Sequence, residues 1–249
     1  MVREDRHEMS DESKDREQVP DCARCPAPVC YSPAFMKGPP DCPTRTKAGV
    51  IEKATARYSD PKVAEFARVA SVVEGTAYTR VPWAPGTPSP ATTRLEEIIG
   101  FAKRMDYQKL GVAYCVGFRE EAEILVPLLE RRGFEVVSVC CKAGGIPKEE
   151  IGVKDEEKII PGTYESMCNP ISQAEILNEE GCDFNIAMGL CVGHDSLFLK
   201  HANAPTTVFA VKDRLLGHNP LAALYQSRQY YRRLRARGGI PGKAGEVEA

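Results

Sequence analysis

Residues 109–141 read KLGVAYCVGFREEAEILVPLLERRGFEVVSVCC. Lys109 to Cys115 is a short apolar run of strand length. Arg119 to Arg132 then carries apolar residues at helical spacing and stops before Gly133, and Phe134 to Cys141 is a second apolar run. A strand, an amphipathic helix and another strand apolar on both faces make a βαβ unit, whose strands pair in parallel beneath covering helices.

The same alternation continues outward from this unit. Asn169 and Pro170 supply an N-cap and a first-turn proline for a further helix. Phe184 to Cys191 (FNIAMGLC) reads as a third strand, Asp195 to His201 as a short helix, and Thr206 to Asp213 as a fourth strand. Asn219 and Pro220 open a long final helix. Upstream, Pro61 to Val73 reads as a helix capped by Asp60, and Val81 to Pro90, with its four prolines, as a loop. Arg94 to Arg104 reads as a helix opened by the capping box Thr93–Glu96. The expected fold is α/β, a small Rossmann-like parallel sheet of about four strands with helices on both faces and an N-terminal Cys-rich metal knuckle. Its parts are a disordered tail over 1–19, a Cys-rich metal-binding segment over 20–48, the α/β domain over 49–237 and a flexible tail over 238–249.

Composition narrows the function classes. The 249 residues are 43% hydrophobic and 27% charged with a net charge of −2. No global field therefore draws the chain to nucleic acid or anionic lipid. The arginine run Arg228, Arg232, Arg233, Arg235, Arg237 reads as a solvated helix face. No apolar stretch is long enough to span a bilayer, and the charged N-terminus is no secretory signal, so a cytoplasmic location is expected. In that reducing compartment the ten cysteines point to metal or thiol chemistry rather than to disulfides.

The cysteines fall in two sets. Cys22, Cys25, Cys30 and Cys42 lie within twenty-one residues. A Cys-x-x-Cys knuckle with two further sulfurs nearby suits a tetrahedral cage for zinc or a cubane iron–sulfur cluster. The surrounding prolines stiffen a segment with too little apolar content to fold without a staple. The second set ends strands: Cys115, Cys140 or Cys141, and Cys191, with Cys168 just before a helix start. Ligands of open α/β sheets gather at the carboxyl ends of strands, so Cys115, Cys141, Cys168 and Cys191 are candidate ligands of a shared site. Adjacent strand residues point to opposite faces, which leaves Cys140 and Cys141 undecided. Cys182 precedes its strand and reads as structural. His194 and His218 follow or precede turns on the same rim, whereas His201 reads as a surface residue. Lys212, Asp213 and Arg214 add charges there, either an ion pair holding the loop or groups for phosphate or carboxylate recognition.

YCVGFREEAE (114–123), VSVCCKAGGIPKEEIG (137–152), PGTYESMCNPISQAEILN (161–178), DFNIAMGLCVGHDSLFLKHA (183–202) and VKDRLLGHNPLAALY (211–225) resemble the metal-binding family called domain of unknown function 1847. The resemblance covers residues 20 to 235. It implies metal binding in archaea and anaerobic bacteria, which favours iron–sulfur over zinc, and it names no substrate. Three functions stay open. The chain is a metal-dependent enzyme acting on a small molecule, with His194 or Asp213 handling protons. Alternatively it is a non-enzymatic metal or redox protein, a carrier, sensor or structural partner; the expected partner is a small-molecule substrate or a redox partner. Or it is a thiol enzyme with Cys191 as nucleophile, activated by a helix N-terminus and His194.

Overall fold

A computed structural model describes residues 19–34, 37–80, 82, 83 and 86–236. The expected tails over 1–19 and 238–249 fall, apart from Val19, outside the described residues. The chain divides into two compact units, Met1–Arg68 and Val69–Ala249.

Short turns build the first unit. Single 3-10 turns over Cys22–Arg24 and Val29–Tyr31 precede α1 (Pro43–Thr46), α2 (Ala48–Thr55) and a 3-10 turn over Ala56–Ser59. α1 starts where a proline is cheapest, with Pro43 in its first turn. Neither α1 nor α2 contains a buried residue, so little apolar burial holds this segment. The helix α3 (Pro61–Thr76) begins after Asp60, whose Oδ1 accepts the Lys62 amide at 2.8 Å.

The second unit carries the sheet. After β1 (Tyr78–Arg80), β2 (Pro88–Pro90) and α4 (Arg94–Arg104), it alternates β3 (Lys109–Tyr114), α5 (Arg119–Glu130), β4 (Glu135–Cys140), α6 (Pro170–Glu179), β5 (Phe184–Leu190), α7 (His194–His201) and β6 (Thr206–Val211), and ends in α8 (Leu221–Tyr225). The four strands β4-β3-β5-β6 lie in that order and all pair in parallel. The fold is α/β, as the alternating pattern requires. The central strands carry the core: every residue of β5 is buried, as are Leu110 to Ala113 of β3.

The strand order places the helices. β4 is added on one side of β3, and β5 and β6 on the other. Right-handed crossovers therefore carry α5 over one face and α6 over the opposite one. On the α6 face the approach is close: a Cβ on Gly111 would stand 2.2 Å from Asn185 Oδ1 and 2.8 Å from a Leu177 methyl. The aromatic rings of Phe101, Tyr107 and Phe184 fill part of the core, with centroids 5.4 to 6.3 Å apart.

Two expectations are corrected. The proline-rich stretch is not all loop, because Pro88–Pro90 pairs antiparallel with Tyr78–Arg80. The prolines occupy the ends of this ladder and Ser89 its middle, which is where a two-stranded ribbon tolerates them. The long final helix is short. α8 stops at Tyr225, and only a 3-10 turn over Arg232–Arg235 follows. Leu221, Leu224 and Tyr225 are 51%, 63% and 74% exposed. An arginine-rich helix without a buried stripe has nothing to add to its marginal intrinsic stability. No helix among the described residues is long and apolar enough to cross a membrane.

Candidate functional site

In an open parallel sheet the crevice forms where successive crossovers leave in opposite directions. Here that point lies between β3 and β5, and the residues that directly follow these strands are Cys115 and Cys191.

Backbone bonds set the first three thiols. Cys115 continues β3 with its amide on the Met188 carbonyl at 3.1 Å, and its own carbonyl accepts the Phe118 amide at 2.7 Å. Cys141 continues β4 with its amide on the Tyr114 carbonyl at 2.9 Å, and its carbonyl accepts the Asn169 amide at 2.8 Å. That last bond brings Cys168, one residue upstream, to the end of β4. Asn169 in turn caps α6, its Oδ1 accepting the Ser172 amide at 3.0 Å. Gln173 of α6 ties the two strand ends together, donating from Nε2 to the Tyr114 and Val139 carbonyls at 3.1 and 2.7 Å.

The side chains then meet. The Cys141 sulfur accepts the Val116 amide at 3.3 Å and contacts the thiols of both Cys115 and Cys168. Cys141 is buried and keeps its proton: hydrogen bonding to Cys115, then to Cys168, and burial push its pKa far up. The outer two move the other way. The bond from Cys141 lowers Cys115 to about 5, helped by the Gly117 amide and Lys212. A hydrogen bond with Cys141 also lowers Cys168 to about 5, helped by Lys142 and His194.

Cys140 points away from this group. It lines a groove of about 570 Å³ with Tyr114, Arg119 and Ser138, as strand alternation demands. Cys182 precedes β5, and burial pushes it up to about 11.

Cys191 stands across the crevice. Its carbonyl accepts the amides of His194 and Asp195, both at 3.0 Å, so it sits at the N-terminus of α7. Arg214 Nη2 lies 3.1 Å from its sulfur. His194 is the first residue of α7, and its Nδ1 is buried without a hydrogen-bond partner. Asp213 holds its own loop: Oδ1 accepts the Leu215 and Leu216 amides at 3.1 and 3.0 Å, and its amide donates to His218 Nδ1 at 3.1 Å. His201 ends α7, and its carbonyl accepts from Asn178 at 2.9 Å.

Three residues that the sequence reading did not single out organise the rim. Phe118 is buried against the His218 ring, 4.3 Å between centroids, and under Lys212 Nζ, 4.3 Å from its centroid. Its ring occupies the space over Gly189, where a Cβ would meet it at 2.0 Å and where φ is +66°. Lys142 donates to the Ser166 carbonyl beside Cys168, and Gln173 acts as above. Lys142 could have been noticed as the residue after Cys141. Phe118 and Gln173 give no local signal, since their partners are more than thirty residues away along the chain.

In the first unit Cys22, Cys25, Cys30 and Cys42 line one pocket of about 160 Å³, together with Asp21 and Asp41. Hydrogen bonds from Thr44, by side chain and by backbone, lower the Cys42 thiol pKa.

A family model described as "Protein of unknown function (DUF1847)" matches residues 42–209. An uncharacterized protein of Methanocaldococcus jannaschii is 44% identical over 210 residues, 84% of this chain and 95% of that protein. The chain belongs to the DUF1847 family. The part matched by the DUF1847 model contains Cys42 and the four strand-end and helix-start cysteines, while Cys22, Cys25 and Cys30 lie before it.

The donor sets of this DUF1847 protein can be compared with what metals require. Among the described residues no group of three or more His, Cys, Asp or Glu stands already disposed to hold an ion. The chemistry of the sets does fit a soft metal. Two sulfurs, Cys115 and Cys168, each against the Cys141 thiol, with no carboxylate among them and an unpartnered buried imidazole nitrogen at His194, are donors that suit zinc or iron–sulfur rather than magnesium or calcium.

Proposed function

We propose that this protein binds a thiophilic metal centre, iron–sulfur or zinc, at the carboxyl edge of its sheet and acts there on a small molecule. The observation that carries the reading is the meeting of Cys115 and Cys168 with Cys141 from three separate elements, with His194, whose Nδ1 is buried and unpartnered, acting on Cys168. These four residues would hold the centre. Cys191, engaged by Arg214, would face the ligand across the crevice. When bound, such a centre supplies electron transfer or Lewis-acid chemistry. The protein's own groups supply the rest. Gln173 fixes the strand ends, the Val116 amide donates to the Cys141 sulfur, and the Gly117 amide donates to that of Cys115. Cys22, Cys25, Cys30 and Cys42 form a second, separate metal site that staples the first unit.

Iron, zinc and acid-labile sulfide, measured in protein purified without oxygen, test this. Cys141→Ala is expected to lose the sheet-edge metal and keep the N-terminal one, and Cys22→Ala with Cys25→Ala to do the reverse. Metal content unchanged in Cys141→Ala would overturn the sheet-edge site.

One contact favours a second reading. The Cys191 sulfur, 3.1 Å from a guanidinium at a helix N-terminus, has the setting of an activated thiol nucleophile. Stoichiometric alkylation of Cys191 that abolishes turnover while leaving metal content intact would select it.

A further inference from the structure

The loop after β6 sends two cations into the crevice between β3 and β5. Lys212 is anchored by its amide on the Leu190 carbonyl at 3.2 Å. Its Nζ reaches over the Phe118 ring to Cys115. A Cβ on Gly117 would stand 2.8 Å from that nitrogen, so glycine there leaves the ammonium its place. Arg214 reaches Cys191 from the same loop with one guanidinium nitrogen.

Among the described residues neither cation has a carboxylate within ion-pair distance. The loop's own acid, Asp213, is committed to the amides of Leu215 and Leu216. A third cation, Lys142, stands at Cys168. Three formal positive charges, Lys212, Arg214 and Lys142, thus stand along the thiol rim. A guanidinium bonded through one nitrogen also keeps donors free for a forked contact with an oxyanion.

We propose that this crevice binds a small ligand through a carboxylate or phosphate group, held by Lys212 and Arg214 next to Cys191. The proposal rests on the sheet edge being a small-molecule site and names the class of molecule it takes.

Alkylation of Cys191 by neutral iodoacetamide, followed by peptide mass spectrometry on the full-length protein, provides the reporter. Inorganic phosphate and succinate are the probes, with chloride at matched ionic strength as the control. One or both oxyanions are expected to slow Cys191 labelling saturably. Protection by phosphate alone or by succinate alone identifies which group the ligand carries. Arg214→Gln and Lys212→Gln are each expected to raise the half-protecting concentration about tenfold, the effect of losing a charge-assisted hydrogen bond. Lys109→Gln, at the opposite edge of the sheet, is expected to leave it unchanged.

A wild-type measurement stands in if a variant fails to fold. The rate ratio of anionic iodoacetate to iodoacetamide is expected to be higher at Cys191 than at Cys140. The proposal is overturned if neither oxyanion protects, if protection survives both substitutions undiminished, or if that ratio is no higher at Cys191. Metal content is measured on the same samples. Protection without iron or zinc leaves this inference standing and sinks the metal reading, whereas metal without protection sinks this inference alone.

Discussion

The two cysteine sets of this molecule are built in opposite ways. Cys22, Cys25, Cys30 and Cys42 come from one short stretch of turns and line one pocket, in a segment whose helices α1 and α2 bury nothing. Cys115, Cys141 and Cys168 are spread over fifty-four positions of the sequence, yet strand pairing and the Asn169 amide bring Cys115 and the half-buried Cys168 to the buried Cys141. A local set takes its shape from the turns of one short stretch, to which folding supplies little burial. A set assembled by a sheet takes its arrangement from strand pairing and the core, with or without a ligand.

Breaking the support of the sheet-edge set is expected to give the largest effects. Gly189→Ala would place a Cβ inside the Phe118 ring at a left-handed backbone position. The expected cost is about 3 kcal/mol or more, overpacking and strain combined, read as a fall in the urea midpoint. Gln173→Ala removes two donors from the ends of β3 and β4 and is expected to cost about 2 kcal/mol. It should also loosen the cysteine cluster, seen as faster alkylation of Cys141.

The next effect is electrostatic. Cys141→Ala removes the leading cause of the depressed Cys115 and Cys168 values, so both thiolates are expected to titrate well above about 5, followed by their ultraviolet absorbance against pH. A depressed folded-state pKa means stabilisation present above the unfolded thiol value and lost as pH falls through about 5. Wild-type metal-free protein is therefore expected to weaken across that window, and Cys141→Ala to lose much of this dependence.

The smallest effect sharpens the comparison from the other side. Cys22→Ser with Cys25→Ser is expected to leave the urea transition of the second unit within about 0.5 kcal/mol of wild type. A large shift would mean that the local set also supports the sheet.

How far each set was legible follows from the same contrast. The N-terminal set declared itself by spacing, since a knuckle and two nearby sulfurs are neighbours along the chain. The sheet-edge set showed itself only as a coincidence of cysteines with strand ends. Its grouping of Cys141 with Cys115 and Cys168, and the turning away of Cys140, depend on register and on which face each residue takes. The helix read beyond Pro220 illustrates the opposite failure. Its caps and composition suit a helix, but with no face buried against a core the periodicity has nothing to act on.

The sequence by itself determined the α/β alternation, the parallel pairing and the presence of strand-end cysteines, because period, caps and glycine stops are local properties. Only the tertiary structure decided which sulfurs touch and that Asp213 serves its own loop. It alone brought Lys212, Arg214 and Lys142 to the thiol rim, and showed that Gly189 exists to admit Phe118. Each of these relations links residues far apart in sequence, and such distances are set by strand order, crossover direction and close packing, which no short stretch of the chain records.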